Sequence, residues 1–299
     1  MFFLAKDKRI EITDLVLTDN LSMYHSVITF VSPAKLYTHV GKIEFSNTSD
    51  KLDVCIESQQ LMDNGLMKIS CTTKKVHDTF DSITAGYNGR TTLNSLFAKL
   101  GFDYHSDFKS NNTYFSIPQC KVITMFDNLT KYASFANGGG AHFYMQSDGV
   151  IYGYDYKLIK AKARATKIDG QIQGESSSID WTNNTTSEYE LFVYDNNNNF
   201  KKETFVIEKG FGRAAVPVCD TTGLTKDAFK QELTNLFYNK WFSAHRVSVG
   251  ITEQVKLGDL VDLNGLGNTY IVKGITMSYT ETQKTPAVTA ELVSNPIFE

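Results

Sequence analysis

Residues 255–279 decide the class of fold: Val255-Lys256-Leu257-Gly258-Asp259-Leu260-Val261-Asp262-Leu263-Asn264-Gly265-Leu266-Gly267-Asn268-Thr269-Tyr270-Ile271-Val272-Lys273-Gly274-Ile275-Thr276-Met277-Ser278-Tyr279. Leu260, Val261 and Leu263, then Tyr270, Val272, Ile275, Met277 and Tyr279, place apolar side chains at strand spacing on either side of a glycine-containing turn. Val288 and Leu292 continue the pattern, so strands are predicted over 259–263, 269–280 and 287–294. Aromatic residues make up 12% of the chain against only five prolines, a balance that extends the β reading to the rest of it.

Outward from this stretch, Ile10–Leu17, a break at Thr18-Asp19-Asn20 and Met23–Val31 predict two strands joined by a turn. Leu52–Ile56 and Leu66–Cys71 predict a hairpin about Asp63-Asn64-Gly65. The period then changes to that of a helix. Thr92 can cap a helix with Leu93, Leu96, Phe97 and Leu100 on one face and Gly101 at its end. A second helix carries Val122, Met125, Phe126, Leu129, Tyr132, Ala133 and Ala136, with Asn137-Gly138-Gly139-Gly140 as its terminator. Segments 141–146 and 150–156 flank Ser147-Asp148-Gly149, which predicts a hairpin with a type I′ turn. Residues 168–188 are polar and read as a long exposed loop or extended hairpin. Strands follow over 189–194 and 203–208, then a helix over 225–241 with Phe229, Leu233, Leu236 and Phe237 inward and Asp227 in its first turn. The expected architecture is β-rich α+β: a first small β-barrel over 1–85, an inserted α+β domain over 86–158, and a second β-barrel with one helix over 159–299.

Charge and composition exclude several classes. Thirty Lys and Arg against thirty-three Asp and Glu give a net charge of −3 with no like-charge block, so the basic footprint of a duplex-binding protein is missing. The mean hydropathy is −0.25, and no apolar run reaches the roughly 18 residues of a membrane span. Five apolar residues precede Lys6, too few for the about 7 to 15 of a secretory core segment. Cys55, Cys71, Cys120 and Cys219 form no C-x-x-C pair and read as reduced core thiols.

Local motifs that could carry chemistry each have a simpler structural reading. Gly138-Gly139-Gly140 follows a helix instead of opening one, which argues for a C-cap against a phosphate loop. Asp195-x-Asn197-x-Asn199 begins like a calcium loop, yet Phe200 and Val206 stand where glycine and glutamate are needed. The six histidines offer no H-E-x-x-H and no pair at ligand spacing on one predicted face. His105 between Asp103 and Asp107 reads as solvated loop charge, and Ser243 with His245 lacks the nucleophile-elbow context. Asp180 with Glu188 is the pair a glycosidase reading would use. No catalytic, metal or cofactor set is expected.

The 255–279 stretch resembles the last barrel of the phage baseplate hub proteins of the tail "late control D" family. In that family a glycine-aspartate turn starts a strand, a glycine-containing loop reverses it and a Tyr-x-Val strand follows. Gly258, Asp259, Gly265, Gly267, Tyr270 and Val272 match this barrel signature, while Leu257 stands where the family often has proline. The order of predicted elements is similar over nearly the whole chain. The resemblance implies a structural, non-enzymatic hub of a contractile tail, working as a homotrimer in which two barrels per chain approximate the six-fold symmetry of the tail tube. It implies as partners the tail tube protein, the central spike or puncturing protein, baseplate wedge proteins, and DNA only in transit through the channel, with no stable membrane association. The place implied is the virion tail baseplate, after assembly in the host cytoplasm. The alternatives are a tail-associated cell-wall hydrolase and a distal tail or receptor-binding module of a non-contractile phage.

Overall fold

The structure, a computed structural model, describes residues 1–5, 8–45, 51–162, 164–177, 187–194, 199–208, 216–219, 226–241, 245–265, 267–280 and 285–294. It is β-rich. Strands β1 (Phe2–Ala5), β2 (Lys8–Glu11), β3 (Thr13–Asn20), β4 (Val27–Ser32), β5 (Val40–Glu44), β6 (Lys51–Leu61) and β7 (Met67–Thr73) form the N-terminal part. Helix α1 (Lys74–Asp81), β8 (Tyr87–Thr91), α2 (Leu93–Leu100), β9 (Tyr104–His105), β10 (Thr113–Ile117), α3 (Val122–Tyr132), β11 (Ala141–Met145), β12 (Ile151–Asp155) and α4 (Tyr156–Lys160) form the middle. The C-terminal part holds β13 (Thr166–Ile168), β14 (Gly170–Ser177), β15 (Glu188–Tyr194), β16 (Phe200–Val206), β17 (Val216–Cys219), α5 (Lys226–Trp241), β18 (His245–Ile251), β19 (Leu260–Leu263), β20 (Thr269–Tyr279) and β21 (Ala287–Ser294).

The two expected barrels are not found in that form. Strands from both ends of the chain belong to one 13-stranded sheet, ordered β14-β18-β21-β20-β3-β4-β7-β6-β5-β1-β2, with β19 branching from β20 and carrying β13. Among the described residues no hydrogen-bonded ladder closes on itself. The physical reason lies in β20. It is eleven residues long and bulged between Val272 and Gly274, so its first half serves β19 and its second half runs beside β3, pairing Gly274 with Asn20 and Tyr279 with Leu15. A side chain at Gly274 would strike the Asn20 amide at 2.7 Å, so glycine is what lets the seam close.

Each part of the sheet nevertheless curls. The N-terminal path begins on β3 and ends on β2, which are separated in the chain only by Ile12; the C-terminal path begins on β14 and ends on β13, separated only by Asp169. One kinked strand thus serves both ends of each curl. Three main cores result. One gathers Phe3, Ile12, Phe30, Ile43, Ile69 and Cys71; a second gathers Val76, Leu93, Phe97, Phe126 and Phe143; the third runs from Leu21 through Tyr156 and Val249 to Val293.

Several local expectations need correction. The Thr18-Asp19-Asn20 break is the end of β3, because β20 supplies all three with a backbone partner. The exposed loop or extended hairpin expected over 168–188 is, through Ser177, the exposed strand β14, paired with β18 instead of with its sequence neighbour, while 178–186 lie outside the described residues. Helix α3 ends at Tyr132, short of the glycines, so Gly138-Gly139-Gly140 is no C-cap. The 146–150 turn is not type I′, since Gly149 alone has a positive φ there (81°); Gly149 N–H donates to Gln146 O and Gln146 N–H to Val150 O. In α5, Leu236 faces outward at 50% exposure, and Asn235 and Tyr238 are buried instead. Helix α2 is as expected: Thr92 Oγ1 accepts from Ser95 N–H and Gly101 ends it at φ 80°.

Candidate functional site

The seam between the two curls opens into a groove of about 1160 Å³. Its apolar lining includes Ile251, Val288 and Met277, which are cross-strand neighbours on β18, β21 and β20, together with Leu257 and Ile275, and Glu253, Lys256 and Asp259 also line it. A polar cluster also lines it. Asp19 Oδ1 accepts from Ser26 Oγ at 2.5 Å and from Tyr144 Oη at 2.6 Å, and Tyr144 Oη lies 3.1 Å from Ser26 Oγ. Burial, and then the Asp19 carboxylate, push the Tyr144 phenol well above its ordinary range, so it stays a donor. The cluster joins β3, the segment before β4, and β11, and so ties the middle of the chain to the sheet. Both hydroxyls bond the same carboxylate oxygen, so the cluster is a tie that holds three segments of the chain together.

Of the six signature residues, Asp259 lines this groove. Gly258 has φ 77°, donates its N–H to Val272 O at 2.9 Å and lies so close to Tyr154 that a Cβ would meet the ring at 2.7 Å. Asp259 accepts from Lys256 N–H through its carboxylate at 2.7 Å, while its carbonyl accepts from Val272 N–H at 2.9 Å. Gly265 and Gly267, at φ 64° and 84°, turn the chain from β19 into β20, and Gly267 N–H reaches Asp262 Oδ1 at 3.1 Å. Tyr270 and Val272 point into the third core. These residues shape the turns that lead into β19 and β20.

The other candidates disperse. His105 Nε2 is 3.5 Å from Asp107 Oδ1, with both side chains more than half exposed, which is the solvated pair the sequence implies. Asp180, Ser243 and residues 195–198 lie outside the described residues, Glu188 opens β15, and His245 bonds Glu175 at 2.8 Å and Ser294 at 3.2 Å across neighbouring strands. Cys55 and Cys71 are buried and free, and burial raises both thiols above their usual range. Cys120 is free and half-buried; the Cys219 side chain lies outside the described set.

Three arrangements had no signal in the sequence. Gly138 and Gly139 form a cradle: a Cβ on the first would strike Asp155 Oδ2 at 2.2 Å, and one on the second the Tyr238 ring at 2.4 Å. Asp155 accepts from Gly139 N–H at 2.8 Å and from Leu158 N–H at 3.1 Å, capping α4, yet burial outweighs these bonds and raises its carboxyl to about 6. Asn235 of α5 donates to the carbonyls of Thr130, Lys131 and Ala133 at 2.8 to 3.1 Å, satisfying the free end of α3 from another helix. Finally, Cys55 of β6 meets His77 and Asp78 of α1, with one ligand atom from each within 4.8 Å of the others. A hairpin between β6 and β7 separates the cysteine from the histidine, so spacing in the sequence could not reveal the group.

No family model matches the chain, and no curated protein matches it in sequence. Solved structures do match in fold. The chain is similar to the tail protein from Neisseria meningitidis MC58, at 13% identity and TM-score 0.64, over 99% of this chain and 96% of that one. It is similar to the 43 kDa tail protein of prophage MuSo2 from Shewanella oneidensis, at 11% identity and TM-score 0.59, over 98% and 97% of the two chains. A third is the E. coli c3393 protein, a component of the type VI secretion system with structural similarity to the T4 tail proteins gp27 and gp5, at 12% identity and TM-score 0.50, over 97% and 76%. At these identities the likeness is one of fold, and it runs through the chain from end to end.

Proposed function

We propose that this chain is a structural subunit of a phage tail, and more specifically the central hub of a contractile baseplate, acting by assembly and not by catalysis. The observation that carries the reading is the end-to-end likeness of fold to the Neisseria meningitidis tail protein, which takes in both curls and the middle part alike. The repeated curl adds a physical argument. Two curled units joined edge to edge in one chain would give a homotrimer six of them, a number that matches the six-fold symmetry of a tail tube. The tube protein would seat on one face of that ring, the central spike on the other and the wedge proteins outside, with a channel for DNA. Symmetry matching needs no reacting group, and the Asp19–Ser26–Tyr144 tie supports the reading by fixing the middle of the chain to the sheet.

The reading is tested by locating the protein in assembled particles. Antibody raised against the purified chain, viewed by immunogold electron microscopy on intact tails, is expected to label the distal end alone. Label along the tube, or protein recovered only outside particles, would contradict it. Zymography against peptidoglycan separates the hydrolase reading, since clearing by purified protein that is lost in Glu188→Ala would make the chain an enzyme.

A further inference from the structure

We propose that Cys55, His77 and Asp78 form a binding site for a thiophilic divalent cation, of which Zn²⁺ is the natural fit. The three side chains bring one sulfur, one nitrogen and one oxygen to within 4.8 Å of one another. This mixed set suits zinc, which takes Cys, His and carboxylate ligands at about 2.0 to 2.3 Å in a tetrahedron whose edges are therefore about 3.3 to 3.8 Å. His77 Nδ1 and Asp78 Oδ1 already lie 3.6 Å apart, too far for a hydrogen bond and at the length of such an edge. The nitrogen itself is shielded from solvent and has no hydrogen-bond partner. The site is also placed by rigid elements. Cys55 sits in a central stretch of β6 opposite Thr72, and α1 begins directly after β7 with Thr73 as its cap, so the helix's first turns lie over the cysteine. Lys74 holds Asp78 Oδ2 at 2.5 Å, which leaves Oδ1 turned to the histidine and offsets the charge of a thiolate and a carboxylate. Cys55 is buried and Asp78 is 56% exposed, so the open side of the group faces water, where entry of the ion and a fourth, water ligand are both available. On binding, the Cys55 thiol gives its proton to solvent, its sulfur pair forms the metal bond, and His77 donates from Nδ1 with its proton on Nε2. The ion would pin α1 to β6 at the point where the chain leaves the first curl for the middle part.

Cobalt(II) is the probe, added to the full-length reduced protein. The expected result is a thiolate-to-cobalt charge-transfer band with visible d–d bands of tetrahedral intensity, displaced by zinc. Both should be lost, or shifted to roughly tenfold or higher cobalt, in Cys55→Ser and His77→Gln, and kept in Cys120→Ser. His77 is half exposed, so His77→Gln folds even where a change at the buried cysteine does not. Absence of the thiolate band in the unaltered protein at millimolar cobalt, or its survival unchanged in His77→Gln, would overturn the proposal.

Discussion

The two curls of the large sheet solve one problem with different chemistry. In the N-terminal curl the kink between β2 and β3 is Ile12, fully buried among Phe3, Phe30 and Ile43, with its N–H on Met1 O at 3.0 Å. In the C-terminal curl the kink between β13 and β14 is Asp169, exposed, and polar side chains hold it. Asp169 N–H meets the Glu253 carboxylate at 3.3 Å, and Asn264 brackets Gly170 by accepting its N–H at 3.0 Å and donating to its carbonyl at 3.3 Å. A strand can therefore be bent across a core by an apolar plug driven by burial, or across a surface by an amide clamp that replaces missing ladder bonds. The first is strong and tolerant of solvent conditions; the second is directional and weaker per contact.

Truncation after Gln254 destroys the C-terminal curl outright, because it removes β19, β20 and β21. Val261, Val272, Leu292 and their neighbours leave the third core, β3 loses its partner at the seam, and β18 becomes an edge. Five buried side chains alone are worth roughly 8 to 15 kcal/mol, the size of a domain's whole stability. The expected outcome is loss of the cooperative thermal transition of the C-terminal half and early proteolysis there, read by circular dichroism and mass spectrometry. A product melting near the full-length temperature would show that these strands are accessory.

Ile12→Ala comes next, at about 2 to 5 kcal/mol from transfer and cavity terms. Urea denaturation should show this loss with little dependence on pH, as befits an apolar plug. Asp155, where the middle part meets α5, provides the pH contrast. Its folded carboxyl is raised to about 6 against an ordinary 3.8, so the proton favours the folded state. Its contribution is most favourable below pH 3.8, falls as pH rises from about 3.8 to about 6, and is level above that, a change of about 3 kcal/mol in all. Asp155→Ala should flatten that part of the stability profile, and a wild-type slope unchanged by the substitution would refute the assignment. The smallest effect is expected from Asn264→Gly, which keeps the left-handed backbone at φ 55° but removes the clamp on Gly170. A cost of about 1 kcal/mol, with amide exchange quickened over β13 and β14 and not over β2 and β3, would sharpen the contrast between the two kinks.

The sequence carried the elements better than their partners. Apolar alternation located β4, β7, β20 and β21, and the Thr92 cap with Gly101 located α2, because these signals are local. Pairing is not local: nothing in Thr18–Asn20 says that β20, more than 250 residues on, completes it, so the sequence alone suggests two barrels where the chain forms one joined sheet. Helical spacing places Leu236 inward, whereas the end of α3 draws Asn235 inward for hydrogen bonding. The glycines at 138–140 looked like a helix stop since their real constraint, the approach of Asp155 and Tyr238, is visible only in three dimensions. The groove was half legible, through Asp259 in its lining, while its Asp19–Ser26–Tyr144 tie draws on three distant segments.

Assembly into the proposed trimer sets the native mass in solution. Multi-angle light scattering of the purified full-length protein at high micromolar concentration, with tail partners added, is expected to give a particle three times the 33.6 kDa of the chain or a larger complex built on that trimer. A strict monomer under those conditions would contradict the hub reading.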